Sequence, residues 1–471
     1  MVRFTKLFVL LAAFALIVAA CSSDSDDTTT TTAAGGEETT TTAAAGGEET
    51  TTTAAAEETT TTAATSGEPI VFATSLPLTG EFSGVGAKHA DGYQFCVDEI
   101  NRLGGILGRE ATLIIEDNRS ETETTVAQYE RFINVDNADI LFGTFSSLLG
   151  YPASSIAEQN QMVMPLPSSG ALRVWERGYD YIFYFQQLPA ELTGSSIVSL
   201  VDYYTGTGLI SEPMETAAVV AADDFFAGAI ANGFVGGEVS FPDSDETVSL
   251  APGYAADMGM EVVFEETWPI GFTDWLTLAN SIADAEPDFI AMTTASVDES
   301  ISLLRALETV GYNGAEMIYS SQGAQSEFAE ELGGTENGVL IHAVWAEEAN
   351  WEGLLAGQPY SNEDFINNFT AAYDRGPDED EAIPFALCQG MEQAILGTGG
   401  TDNVAIQEWL HSRQGDPVKT IMGDYVWDER GLPEERAFLV NQWQEGNLSL
   451  VYPVGEFEGT VDLVYPKPPF G

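Results

Sequence analysis

Residues 72–110 read FATSLPLTGEFSGVGAKHADGYQFCVDEINRLGGILGRE. The stretch opens on a buried strand, Ile70-Val71-Phe72-Ala73, and breaks at Pro77-Leu78-Thr79-Gly80. Helical spacing then sets in from Gly86 to Leu103, with Tyr93, Val97 and Ile100 on one face. Strand, short loop and amphipathic helix form the opening unit of a parallel sheet. Downstream the rhythm continues: strands at Thr112–Ile115, Asp139–Gly143, Val163–Pro165 and Ile182–Phe185, with helices at Glu121–Val135, Pro152–Gln159 and Leu192–Tyr204. A second series runs from Ala217 to Ala343. Its strands are Ala217–Ala221, Met260–Phe264, Phe289–Met292, Met317–Tyr319 and Gly338–Ala343, separated by helices at Phe225–Phe234, Trp275–Ala285 and Glu299–Val310. Strands alternating with helices predict an α/β class with two doubly wound lobes. The last third adds helices at Glu363–Tyr373, Ile383–Leu396 and Val404–Ser412. Antiparallel strand signals close it near Asp424–Trp427, Ala437–Gln444 and Ser449–Pro453.

Upstream of this unit the chain is of another kind. Arg3 and Lys6 precede an apolar run from Leu7 to Ala20, which is short for a membrane span and typical of a signal-peptide core. The run ends in Val18-Ala19-Ala20-Cys21, which resembles the bacterial lipobox and implies a lipidated Cys21. Residues 22–67 repeat Thr, Ala, Gly and Glu without an aromatic residue, Lys or Arg. Such a segment buries too little apolar surface to offset the entropy of ordering it, and reads as a disordered tether. As a random coil it would reach ~35–40 Å.

Charge excludes several functions. The 471 residues carry 16 Lys+Arg against 74 Asp+Glu, a net charge of −58. Nucleic-acid binding requires a basic footprint, and adhesion to anionic lipid by charge requires the same. Three His and three Cys leave little for metal chemistry, and no cofactor is expected. No HExxH, CxxC, GxSxG or P-loop occurs. Gly84-Val85-Gly86 runs on to His89, where a dinucleotide fingerprint would want Gly. His89, His342 and His411 form no triad pattern, so the chain reads as no enzyme. Gly236–Gly259 reads as a solvated acidic loop. Within it Asp243, Asp245 and Glu246 offer oxygens to calcium, but without the full EF-hand spacing.

Ligands of open α/β sheets bind beyond the carboxyl ends of strands, against helix N-termini. Two hydroxyl clusters stand at such places: Thr144-Phe145-Ser146-Ser147 and Pro167-Ser168-Ser169-Gly170. They can hold a carboxylate without Lys or Arg, and they serve equally well as helix caps.

The opening stretch resembles the start of a type I periplasmic binding protein of the Leu/Ile/Val-binding family. Pro77-Leu78-Thr79-Gly80, Ile100-Asn101 and Gly104-Gly105-Ile106 match that family. So do Gly143 with Ser146-Ser147, Pro152-Ala153, Arg177-Gly178-Tyr179 and the terminal VWDERGLPEERAFLVNQWQEGNL. The resemblance implies two lobes joined by three hinge crossings, with lobe one at 68–187 and 344–424 and lobe two at 188–343 and 425–471. It implies an extracytoplasmic, lipid-anchored solute-binding lipoprotein of an ABC importer, with a permease and its ATPase subunits as partners. A sensor that passes its closed state to a membrane receptor, and a secreted hydrolase, are the competing readings.

By the same resemblance, Ser147 receives the ligand carboxylate, with Ser146, Ser168 and Ser169 beside it. Gly170 stands where many members have Thr. Phe226 falls where a Tyr flanks the ligand, Gln322 where a Glu takes the ammonium, and Val85 where an aromatic lines the pocket. These departures imply a pocket unlike that of a simple branched-chain amino-acid binder, with an amino acid, an amide or a small organic acid as ligand. Asp223 or Asp224 could restore a charge, or cap a helix. With Cys21 lipidated, Cys96 and Cys388 remain in an oxidising compartment. The resemblance places both in lobe one, which predicts a disulfide over the alternative of two buried thiols.

No Lys or Arg occurs from Gly178 to Leu304, although Asp and Glu are frequent there. These carboxylates must largely face water and repel one another. Added salt screens that repulsion over ~10 Å at 0.1 M. The melting temperature should therefore rise between low salt and ~1 M NaCl. A flat profile would count against net self-repulsion.

Overall fold

The computed structural model describes residues 67–241, 248–434 and 436–470. The export segment, Cys21, the tether up to residue 66 and the acidic run with Asp243, Asp245 and Glu246 lie outside them.

Lobe one begins with β1 (Ile70–Leu76), α1 (Ser83–Arg102), β2 (Ala111–Asp117), α2 (Thr122–Asn134), β3 (Ile140–Leu141), α3 (Ser147–Gln159), β4 (Met164–Leu166), α4 (Leu172–Trp175) and β5 (Ile182–Tyr184). Strand β1 pairs in parallel with β2 and β3, and β4 pairs in parallel with β5. A backbone bond from Gly143 N–H to the Pro165 carbonyl, 2.9 Å long, ties the two groups together. Helix α3 starts five residues before the expected Pro152. Proline inside a helix removes one donor, and here the chain forms the first turn and a half regardless.

The chain then crosses to α5 (Gly194–Thr207), β6 (Thr216–Ala222), α6 (Phe225–Val235), β7 (Gly237–Ser240), β8 (Val248–Ala251), α7 (Tyr254–Asp257), β9 (Glu261–Trp268), α8 (Trp275–Ala285), β10 (Phe289–Thr293), α9 (Val297–Val310), β11 (Met317–Ser320), α10 (Ser326–Leu332) and β12 (Val339–Ala343). The expected acidic loop at 236–259 thus contains β7, β8 and α7. Strands β7 and β8 pair as an antiparallel ribbon, with Gly237 opposite Ala251 and Glu238 opposite Leu250.

The chain returns to lobe one through β13 (Glu352–Leu355), β14 (Gln358–Ser361), α11 (Asn362–Tyr373), α12 (Glu379–Thr398), α13 (Asn403–His411), β15 (Val418–Thr420) and β16 (Gly423–Tyr425). It ends in lobe two with β17 (Leu439–Gln444) and β18 (Asn447–Tyr452). The lobe-two sheet has seven strands in the order β18-β17-β12-β11-β10-β6-β9. Strands β12 to β9 run parallel, while β17 and β18 join antiparallel. The central parallel strands β6, β10, β11 and β12 are buried, largely apolar runs with helices on both faces, while the edge strand β9 is mixed and largely exposed.

Helix α12 begins one turn before the expected Ile383. Asp378 and Glu381 form a reciprocal capping box at its start, a signature that the apolar pattern alone conceals. The helix lies directly on α1. A Cβ on Gly92 would meet the Glu381 carbonyl at 2.3 Å, so this approach requires glycine. At the same contact Cys96 and Cys388 are joined by a disulfide, with Cα atoms 6.3 Å apart and a sequence separation of 292. The chain-entropy model gives such a loop ~5 kcal/mol. Denatured, unreduced protein lacking residues 1–67 should show no titratable thiol, and Cys96→Ala/Cys388→Ala should melt at a clearly lower temperature.

Deep in lobe one, Glu392 is fully buried and neither of its oxygens makes a well-formed hydrogen bond. Burial pushes this carboxyl from 4.5 up to about 7. The folded protein therefore holds the proton while the unfolded chain releases it near 4.5. The protonated group's stability is fully present below that value and is lost as pH rises through about 7. Glu392→Gln should raise the melting temperature at pH 8, with the gain fading toward pH 4.5. An equal gain at both pH values would contradict a titrating Glu392.

Candidate ligand cleft

The carboxyl ends of β3 and β4 carry two loops that interlock. Ser146 takes φ +73° and Ser169 φ +90°, conformations that side-chain-bearing residues seldom adopt. Ser169 Oγ donates to the Ser146 carbonyl at 3.0 Å, and Trp175 Nε1 donates to the Ser169 carbonyl at 2.9 Å. Gly150 leaves the space for this. A Cβ there would lie 2.0 Å from Ser169 Oγ. Ser147 opens α3, and its Oγ accepts the Ala171 N–H at 3.2 Å, which leaves its own O–H free to donate. Ser146 Oγ is buried without a partner. Ser168 Oγ meets His89 Nε2 at 3.4 Å, and burial pushes His89 down to about 3, so it is neutral.

These loops face lobe two across a narrow cavity, with about 40 Å³ for the centres of water molecules. That is room for roughly three waters. Ser146, Ser147, Ser168, Ser169, Phe226 and Gln322 all line it. Phe226 comes from the first turn of α6 and Gln322 from the loop after β11.

Two residues singled out in the sequence stand elsewhere. Val85 packs with Phe82, Phe145, Leu149 and Ala295 in an apolar cluster between the lobes and lines an adjoining groove. Asp224 caps α6, where its Oδ1 accepts the N–H groups of Phe226 and Ala227 at 2.7 and 2.9 Å. Burial lifts Asp224 to about 6. Asp223, its neighbour, is exposed.

The cavity also contains residues that the sequence reading did not assign to a ligand site: Tyr184, Gln186, His342, Val344, Glu379 and Asp380. Tyr184 donates to Gln186 Oε1 at 2.8 Å, and Gln186 Nε2 donates to the Pro167 carbonyl at 2.7 Å. His342 is bonded through Nδ1 to the Tyr319 hydroxyl at 2.8 Å and is pushed down to about 3 by burial, so it too is neutral. Glu379 and Asp380 are the first residues of α12, where the helix dipole favours negative charge. The Asp378…Glu381 capping box is the sequence signal that could have located them.

Side chains of the two lobes meet across the cleft. Lys88 of α1 bonds Asp378 at 2.6 Å and Glu327 of α10 at 3.2 Å. Gln325 Nε2 donates to Asp380 Oδ2 at 2.6 Å. Among the described residues, no group of three or more His, Cys, Asp or Glu side chains converges to hold a metal ion.

Known proteins match this arrangement. The chain is similar to Leu/Ile/Val-binding protein homolog 7 of Brucella suis biovar 1 (strain 1330), at 22% identity over 381 residues, which covers 80% of this chain and 90% of that protein. In structure it is similar to the leucine binding protein LivK of Thermotoga maritima, with a TM-score of 0.67 and 20% identity, covering 81% of this chain and 97% of that one. It is also similar to a solute binding protein of R. palustris in complex with benzoate, with a TM-score of 0.65 and 16% identity, covering 85% and 97%. The periplasmic binding protein family model matches residues 69–447. The structure is thus a type I periplasmic binding protein fold, a scaffold for ligand binding and not for catalysis, and the chain belongs to the periplasmic binding protein family.

Proposed function

We propose that this chain is the solute-binding component of an ABC importer and acts outside the cytoplasm. In this reading Cys21 carries the lipid anchor, residues 22–67 form the tether, and the lobes are 68–187 with 344–424 and 188–343 with 425–471. They close on a small polar solute, an amino acid or amide, and hand it to a membrane permease driven by ATPase subunits. Among the described residues, no helix is long and apolar enough to cross a membrane.

The observation that carries the reading is the cavity itself. Hydroxyls of one lobe face an aromatic ring and an amide of the other, and side-chain bonds link the lobes across it. Closure of this kind needs no chemistry: a ligand that contacts both lobes binds the closed form better and shifts the population toward it. The curated relatives named for Leu, Ile and Val binding and the leucine-binding structure support the amino-acid form of this reading.

Ser147 is the proposed anchor for the ligand's carboxylate or amide oxygen. Its free O–H stands at the first turn of α3, whose dipole adds partial positive charge where Lys and Arg are absent. A hydrogen bond to a charged group contributes ~1.5–3 kcal/mol, so Ser147→Ala should weaken binding roughly 10- to 150-fold. Calorimetry with the solute that gives the largest thermal shift checks this. Unaltered affinity would remove Ser147 from the site.

A further inference from the structure

Lys and Arg are absent from the cavity wall, but two carboxylates are present, Glu379 and Asp380. Their situations differ. Asp380 accepts the short bond from Gln325, and the neighbouring Asp378 is paired with Lys88. Lys88 is held by Asp378 and Glu327 and is thereby engaged. Glu379 has no such partner. Among the described residues its side chain receives one hydrogen bond, from Val344 N–H at 3.2 Å, and joins no ion pair. It is partly exposed, and it lines both the cavity and the wider groove beside it. Burial, with Asp380 and Asp378 close by, holds this carboxyl well above the ordinary range, while Lys88 opposes the shift weakly.

A second observation lies in the same cavity. Ser146 Oγ is 4% exposed, has no hydrogen-bond partner, and sits on a backbone held at φ +73°. A buried hydroxyl without a partner loses its hydration for nothing unless a ligand supplies the bond. The wall therefore offers hydroxyl donors on the α3 side and an acceptor carboxylate on α12. Ile383, one turn beyond Glu379 on the same helix, adds an apolar surface.

We propose that Glu379 is the cation subsite of the cleft: the ligand carries a protonated nitrogen that bonds the Glu379 carboxylate, while its oxygen faces Ser146 and Ser147. The assignment rests on reading the cavity as the ligand site. It gives the neutral Gln322 no charge to pair, and it excludes solutes that carry only a carboxylate. A ligand cation beside Glu379 offsets the burial and the neighbouring carboxylates that raise this carboxyl, and a charge-assisted bond to it is stronger than one to a neutral donor.

The test compares matched compounds on the full chain. Thermal shift is read with the twenty amino acids, putrescine, agmatine and 3-methylbutylamine, and against acetate, propionate, 4-methylpentanoate and benzoate. Stabilisation is expected from nitrogen-bearing compounds alone. The strongest of them is then titrated calorimetrically into Glu379→Gln, where affinity should fall at least tenfold. Glu379→Asp keeps the charge and should keep the preference for a protonated nitrogen, which separates loss of charge from loss of fold. If a nitrogen-free acid binds as tightly as its amine-bearing match, or Glu379→Gln leaves affinity unchanged, the subsite is overturned while the cleft still binds a solute. A chain that answers no compound of either class overturns both the subsite and the reading beneath it.

Discussion

Gln187, Val344 and Arg436 belong to three segments far apart in sequence, and one hydrogen-bonded chain joins them. Gln187 Nε2 donates to the Val344 carbonyl at 2.8 Å, and Arg436 Nε donates to Gln187 Oε1 at 2.7 Å. Arg436 also donates to the carbonyls of Asp424 and Met422 and lies 4.2 Å from the centre of the Tyr425 ring. Each residue sits where the chain passes from one sheet to the other. The Cys96–Cys388 disulfide joins the two pieces of lobe one between α1 and α12, and at the crossings this hydrogen-bonded tie holds the segments together, with Val344 and the start of α12 lining the cavity.

Charge shapes the two lobes differently. Between residues 188 and 343 the sole cation is Arg305, paired with Glu331 at 3.3 Å. Lobe one holds most of the cations, and it uses them inside its structure. Arg102 clasps Glu99, Arg375 reaches the buried Glu381 at 2.7 Å, and Arg177 donates to Ser154, Ser155 and the Tyr151 carbonyl. Lobe two is held instead by the apolar faces of its seven-stranded sheet, and its carboxylates have few cations to pair with. The cleft lies where these two regimes meet. Lys88, on the lobe-one side, supplies the cation that bonds across to Glu327.

Backbone strain at Ser146 and Ser169 belongs to the same logic. Each conformation costs on the order of 1–3 kcal/mol, and such strain persists where neighbours over-determine it. Here the neighbours are one another, through Ser169 Oγ, Gly150 and Trp175. The result is a hydroxyl-lined wall held by bonds within lobe one.

Much of this was legible in the residues alone. The 3.6-residue spacing of Tyr93, Val97 and Ile100 and the apolar runs at Phe289–Met292 and Ala217–Ala221 determine helix and strand locally, because burial imposes those periods. The serine loops could be placed at strand ends for the same reason. The tertiary structure alone decided which of these groups share a cavity. Val85 and Phe226 both meet the interlobe surface, yet Phe226 lines the cavity and Val85 lines the groove beside it. Asp224 spends its acceptor on two backbone N–H groups, a choice fixed by helix geometry over a distance of three residues. Glu379 stood in an acidic run, Asp378 to Glu381, that the sequence reading did not single out. It enters the cleft because α12 packs on α1, with Gly92 against the Glu381 carbonyl. Periodicity is a property of neighbours in sequence. A binding site joins residues separated by hundreds of positions, and only the packing of complete elements brings them within bonding distance.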